Sequence, residues 1–205
     1  MEWVTTLYNK TKELWEQKGK DPKGFSIFYS PVILNPTVAL IGYNPGGDET
    51  SFIETNIMVP QENEYLTAGY PMAKKVRKIF EAGDIMWALK DSIKFNLIFF
   101  RSKNEKDIND KEVIQFCEQK VLEILKEIKP KYIITEGFNT YERLKKLLSA
   151  NEERIIREGE KAILCIAKTK DNIPLLGMIH PTGAYGISDE ILTHIGIELK
   201  NIIAK

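Results

Sequence analysis

The apolar positions of the chain follow two periods that alternate along its length. Over residues 3–18, Trp3, Val4, Leu7, Tyr8, Thr11, Leu14 and Trp15 recur at helical spacing, which predicts an amphipathic first helix. Asp-Pro-Lys-Gly at 21–24 ends it. Residues 37–43 (TVALIGY) are apolar at successive positions, as in a strand buried on both faces. The same reading predicts strands over 95–100 (FNLIFF), 131–137 (KYIITEG), 163–169 (ILCIAKT) and 173–179 (IPLLGMI). The Lys-Asp-Asn turn between the last two makes them an antiparallel hairpin. Helical spacing returns over 71–82, which opens on Pro71, and over 84–91, 139–149 and 188–203. It is strongest over 110–128, where Val113, Ile114, Phe116, Cys117, Val121, Leu122, Leu125 and Ile128 form the stripe and Pro130 ends it. Between the first strand and Pro71, residues 48–70 read as one polar loop with several acids, long enough to be functional.

Alternating strands and helices predict an α/β domain: three layers, α/β/α, around a mainly parallel central sheet. One domain spans 1–205, with the N-terminal helix (1–20) packed on its core. Ligands of such sheets bind beyond the carboxyl ends of the strands. The stretches to read for function are therefore those that leave the strands: YNPGG, the Asn96 region, EGFN and HPTGAYG.

Composition changes this picture little. Hydrophobic residues make up 43% of the chain, ordinary for a globular protein. Lys and Arg together number 29, as do Asp and Glu, so bulk charge provides no drive toward polyanions. The charge is unevenly spread, however. Lys74, Lys75, Arg77, Lys78, Lys90, Lys94, Arg101 and Lys103 stand against Glu81, Asp84 and Asp91, an asymmetry able to track a nucleic-acid backbone, or simply a solvated face. Cys117 and Cys165 lie in apolar-periodic segments with no partner at metal spacing, and read as buried free thiols in a reducing, cytoplasmic setting. No apolar run approaches the roughly 18 residues of a membrane span, so no membrane association is expected.

Three polar side chains stand out. Asn44 leaves the first strand between Tyr43 and Pro45, Asn96 interrupts an apolar run, and His180 leaves the last strand in His-Pro. Singly, each has an ordinary reading: a turn residue before proline, a satisfied buried amide, a packing histidine. The second histidine, His194, sits inside a predicted helix and reads as structural. Together, two amides and an imidazole at one edge of one sheet make a pocket suited to a polar heterocycle. A phosphate loop is the competing reading of GYNPGG, but the Gly-Lys-Ser/Thr and Gly-x-Gly-x-x-Gly signatures are absent.

Gly42-Tyr-Asn-Pro-Gly46 resembles the first motif of the uracil-DNA glycosylase superfamily, and His180-Pro-Thr-Gly-Ala-Tyr-Gly resembles its second. FNLIFFRS is similar to the strand that carries the family's pyrimidine-reading Asn, and ITEGFNTYERLKKLL at 134–148 to the segment before the second motif. The Asn, Asn, His combination is most similar to the single-strand-selective monofunctional branch. The resemblance implies a DNA glycosylase that flips and hydrolyses out uracil or a related damaged pyrimidine, without a metal or organic cofactor. Asn44 would hold the attacking water, and His180 would donate a hydrogen bond to the oxyanion developing on the base. Asn96 would read the Watson–Crick edge, accepting from N3 and donating to O4. Gly42, Tyr43, Pro45 and Gly46 would line the pocket, Gly46 and Gly47 allowing close backbone approach. Phe52, Tyr65 and Tyr70 are the candidates to stack on the base. Arg101 and Lys103 would meet phosphates, and Thr182, Gly183, Ala184 and Tyr185 would face the DNA. With Ala184 at the wedge position, single-stranded or locally destabilised DNA is the expected partner, engaged by a monomer. A family member that binds a base or nucleic acid without cleaving it is the alternative.

Overall fold

The computed structural model describes residues 2–20, 24–46, 59–183 and 187–204. Its six-stranded sheet is built from β1 (Val38–Gly42), β2 (Ser92–Asn96), β3 (Tyr132–Glu136), β4 (Asn151–Glu158), β5 (Lys161–Lys168) and β6 (Pro174–Met178). The spatial order is β2-β1-β3-β6-β5-β4. The first four strands are parallel, and β5 runs antiparallel to both β6 and β4. The chain therefore steps from β1 outward to β2 and then back across β1 to β3. A crevice opens at such a reversal, off the carboxyl ends of the strands.

Helices cover both faces, giving the expected α/β/α layering. On one face α1 (Glu2–Gln17), α5 (Lys111–Ile128) and α6 (Phe138–Leu147) bury Leu14, Trp15, Cys117, Val121 and Leu144 against Ala39, Ile41 and Ile133. On the other, α3 (Pro71–Ala82), α4 (Met86–Lys90) and α7 (Asp189–Ile203) bury Val76, Phe80, Leu89, Ile195 and Leu199 against Val38, Leu40, Ile134 and Leu176. Every residue of β1 is buried, because its alternating side chains face one apolar layer or the other. Local chemistry sets the helix ends. Asp110 accepts from the Glu112 and Val113 N–H groups at the start of α5, Ser188 accepts from Ile191 at α7, and Pro71 opens α3.

The structure departs from the sequence reading in four places. The second strand is Ser92–Asn96 rather than 95–100. The apolar run of 97–100 is buried but leaves the sheet, and the Phe99 N–H turns to the Cys117 sulfur at 3.5 Å. Asn96 therefore ends its strand instead of interrupting it. Second, β4 was not expected. It is an edge strand exposed at nearly every position, so it carries no apolar alternation to read. Third, the loop before Pro71 contains a short helix, α2 (Glu64–Thr67). It is pinned by buried Asn63, which caps Tyr65 and donates to Ser92 Oγ at 2.9 Å. Fourth, Lys94 does not belong to a solvated basic face. It points inward from the middle of β2 and is 3% exposed. Residues 24–30 run along the outer edge of β2 through single bridges at Phe25–Phe100 and Phe28–Phe95, which shields that edge.

Both cysteines are free and buried, as the apolar pattern implied. Among the described residues no helix is long and apolar enough to cross a membrane.

Candidate active site

The register of the sheet assembles the site. Gly42 is paired with Asn96 across β1 and β2. On its other side, Ile41 is paired with Thr135, which brings Glu136 to the rung beside Gly42. Because side chains alternate along a strand, Lys94, Asn96, Gly42 and Glu136 share one face at the carboxyl end of the sheet. The missing Cβ of Gly42 makes room for the other three. A methyl there would touch Asn96 Oδ1 and lie 2.9 Å from both Glu136 Oε2 and Lys94 Nζ. In that space Lys94 Nζ donates to Asn96 Oδ1 at 3.0 Å and meets Glu136 Oε2 at 3.1 Å. All three side chains are almost wholly buried. The second carboxylate oxygen, Glu136 Oε1, is buried with no hydrogen-bond partner.

Aromatic rings surround this polar floor. Lys94 Nζ lies 5.5 Å from the Tyr29 ring centre and 5.6 Å from that of Tyr65, within cation–π range. Burial pushes the Tyr65 phenol well above the usual tyrosine range, and the nearby Glu136 carboxylate pushes in the same direction. Burial likewise raises Tyr29 to about 12. Tyr70 is exposed and meets Tyr65 edge-on, with ring centres 6.3 Å apart. Of the three stacking candidates, then, Tyr65 forms part of the floor, Tyr70 stands at its outer side, and Phe52 lies outside the described residues.

Asn44 follows β1. Its Nδ2 donates to Pro45 O at 2.9 Å, Ser102 Oγ at 2.9 Å and Ser102 O at 3.2 Å. With its donors engaged, the amide's remaining polar atom is Oδ1, an acceptor. The loop is tied down on every side. Ser102 N–H donates to Pro45 O at 3.3 Å, and Arg101 donates to Gly46 O at 2.8 Å. Tyr43 O accepts from Ile98 N–H at 2.8 Å, while the Tyr43 hydroxyl accepts from Arg143 at 2.8 Å. Arg143 is itself held by Glu118 at 2.6 Å. The Tyr43 side chain thus anchors the turn on the α5–α6 face, and Arg101 shapes the loop.

His180 follows β6, across β3 from β1. Its Nδ1 accepts from Thr182 N–H at 3.3 Å and lies 3.2 Å from Thr182 Oγ1. An accepting Nδ1 puts the proton of the neutral ring on Nε2, which makes Nε2–H the ring's donor. Gly183 N–H closes the turn on His180 O at 3.0 Å, and Lys75 donates to Pro181 O at 2.9 Å. The ring packs over Gly137, where a Cβ would sit 3.4 Å from its Cδ2. Gly137 also has φ +103°, which L side chains rarely adopt. Thr182 therefore orients the imidazole, and Gly183 closes the backbone turn beside it. Ala184, Tyr185 and Gly47 lie outside the described residues.

The structure thus places Asn44, Asn96 and His180 at the carboxyl ends of three of the sheet's parallel strands: Asn96 ends β2, and Asn44 and His180 follow β1 and β6. It adds Lys94, Glu136, Tyr29 and Ser102, which the sequence reading did not single out for the site. Much of the expected basic surface is engaged inside the fold: Lys94 in the floor, Lys75 on Pro181, and Arg77 on Tyr65 O and Ala68 O. Lys103 remains exposed. A separate cavity of about 500 Å³ between α1 and α5, lined in part by Trp3, Leu7, Lys10, Lys120 and Ile124, contains none of these residues. Among the described residues no three His, Cys, Asp or Glu side chains gather as a metal-holding group. Neither protein-family models nor curated proteins yield a match to this chain.

Proposed function

We propose that this protein is a monofunctional DNA glycosylase that excises uracil or a related damaged pyrimidine from single-stranded or locally destabilised DNA. The observation that carries the reading is the placement of Asn44, Asn96 and His180, whose Nδ1 accepts from Thr182 N–H, at the carboxyl ends of the parallel strands β1, β2 and β6. Hydrolysis of an N-glycosidic bond builds positive charge on the sugar and negative charge on the leaving base. An Nε2–H donor suits the developing oxyanion. An amide acceptor suits a water, which it orients without taking its proton, so turnover is slow. Asn96, at the floor, suits the edge of a base turned out of its stack. Resemblance of GYNPG and HPTGAYG to the two motifs of the uracil-DNA glycosylase superfamily supports the same reading. The protein would act as a monomer in the cytoplasm.

One observation favours a second reading, binding without cleavage. The Asn44 amide is already held by three bonds from Nδ2, and a rigid turn serves recognition as well as catalysis. Base release separates the two readings. A labelled oligonucleotide carrying one uracil, single-stranded or opposite G or A, is incubated with excess protein and treated with alkali. The enzyme reading expects strand breaks with the wild type and a loss of at least about 100-fold in Asn44→Ala, the scale of one lost transition-state contact. Equal cleavage by Asn44→Ala would refute the mechanism. Saturable binding with no break would leave the binder.

A further inference from the structure

The floor of the site contains a charge pair for which the hydrolysis has no use. Lys94 and Glu136 are 3% exposed and lie 3.1 Å apart across Gly42, at the mouth of an otherwise apolar layer. Burying two charges is costly, and such a pair contributes little net stability. Its geometry nevertheless does something specific to Asn96. An ammonium has donors and no acceptor, so the amide end that faces Lys94 must be the oxygen. The 3.0 Å contact to Oδ1 therefore fixes the amide with its NH2 group turned away from Lys94. A second lysine contact, to Phe95 O at 3.1 Å, and the rings of Tyr29 and Tyr65 hold the ammonium in place. Beside the amide, Glu136 Oε1 is a buried acceptor without a donor.

We propose that the Lys94–Glu136 pair sets the specificity of this site: it locks Asn96 as a donor, supplies Glu136 Oε1 as the neighbouring acceptor, and so selects a heterocycle edge that pairs a carbonyl with an N–H. That edge belongs to uracil-type imides. A cytosine-type edge offers an amino group where a carbonyl is required, and a base methylated on that ring nitrogen has no proton for Glu136. An unpaired buried group on either side makes the mismatch costly. Asn96 and Glu136 thereby divide the base-reading task that the family resemblance gave to Asn96 alone, with Lys94 fixing the amide. The inference rests on the reading that Asn96 faces a bound base.

The test compares uracil, cytosine and N3-methyluracil, each placed once in the same single-stranded oligonucleotide, by binding and by base release. Lys94→Met alone leaves a carboxylate unpaired in the interior and endangers the fold, so the informative variant is Lys94→Met with Glu136→Gln, which keeps volume and neutrality. Its melting profile is compared with the wild type first. The wild type is expected to prefer uracil over both other bases by more than about 200-fold, beyond what an apolar pocket alone achieves. The double variant is expected to lose most of that preference while retaining measurable affinity, because its amides are free to rotate. A folded double variant that keeps the wild-type uracil-to-cytosine ratio would overturn the proposal. A wild type with no affinity for any of the three would overturn the base-site reading, and this proposal with it.

Discussion

At the scale of single residues, the decisive feature is an absence, the side chain that Gly42 lacks. Three polar groups occupy the space its Cβ would take. Gly42→Ala should therefore push Asn96 and Lys94 out of register, costing about 1–3 kcal/mol as an overpacked site. Base release should fall by more than that stability loss explains. A thermal melt read beside the cleavage assay separates the two effects. Ser102→Ala is a milder probe. It removes one 2.9 Å bond to Asn44 Nδ2 but leaves those to Pro45 O and Ser102 O. The fold should be unchanged, and the cleavage rate should drop several-fold through a looser Asn44. A rate equal to the wild type would show that the Ser102 hydroxyl does not position the amide. These residues differ in how far the sequence announced them. Asn44 and His180 stood out because polar residues punctuate the ends of apolar strands. Lys94 and Glu136 did not, because their meeting depends on the register of three strands and a glycine between them. Lys94, counted by charge alone, read as surface.

At the scale of elements, the exits of the strands position the chemistry. The turn after β3 has one requirement, a positive φ at Gly137 beneath the His180 ring. Gly137→Ala should cost about 1–3 kcal/mol in backbone strain and should shift the imidazole. A cleavage rate that falls by more than the stability loss explains would report that shift, whereas a stability loss alone would confine Gly137 to the fold. At α5, Asp110 caps two N–H groups, and Asp110→Ala should lower stability by about 1 kcal/mol, measured by denaturant unfolding. Parallel strands were legible as elements because burial on both faces leaves a continuous apolar run. Edge strand β4 was not, since NEERIIRE carries neither a run nor an alternation. The limits of β2 were misplaced for a related reason. An apolar run marks burial, and 97–100 is buried beyond the end of β2.

At the scale of the whole molecule, the interior protects neutral acids. Burial raises the Cys117 thiol from 9.0 to about 12 and the Tyr29 phenol from 10.0 to about 12. A folded-state pKa above the unfolded one means the native state holds its proton more tightly. That stabilisation is complete below about pH 9 and is lost as pH rises toward 12. Urea midpoints should accordingly decline over this alkaline window, and Cys117 should resist thiol reagents at pH 8 until the protein unfolds. Rapid labelling of Cys117 in the folded protein would contradict the packing around Phe99 and α5. The layering itself followed from the alternation of periods in the sequence. The closure of Lys94, Glu136 and Asn96 into one cluster needed the three-dimensional register.

The central claim is that Asn44, Asn96 and His180 form one base-handling site, whether or not it cleaves. Side-chain NMR tests it most directly. The amide resonances of Asn44 and Asn96 and the ring resonances of His180 would be followed while a short single-stranded uracil oligonucleotide is added. The account predicts that all three shift along one binding isotherm, with the His194 ring, bonded to Glu158 on the far edge of the sheet, unmoved. Independent isotherms, or binding that leaves Asn96 and His180 undisturbed, would contradict it.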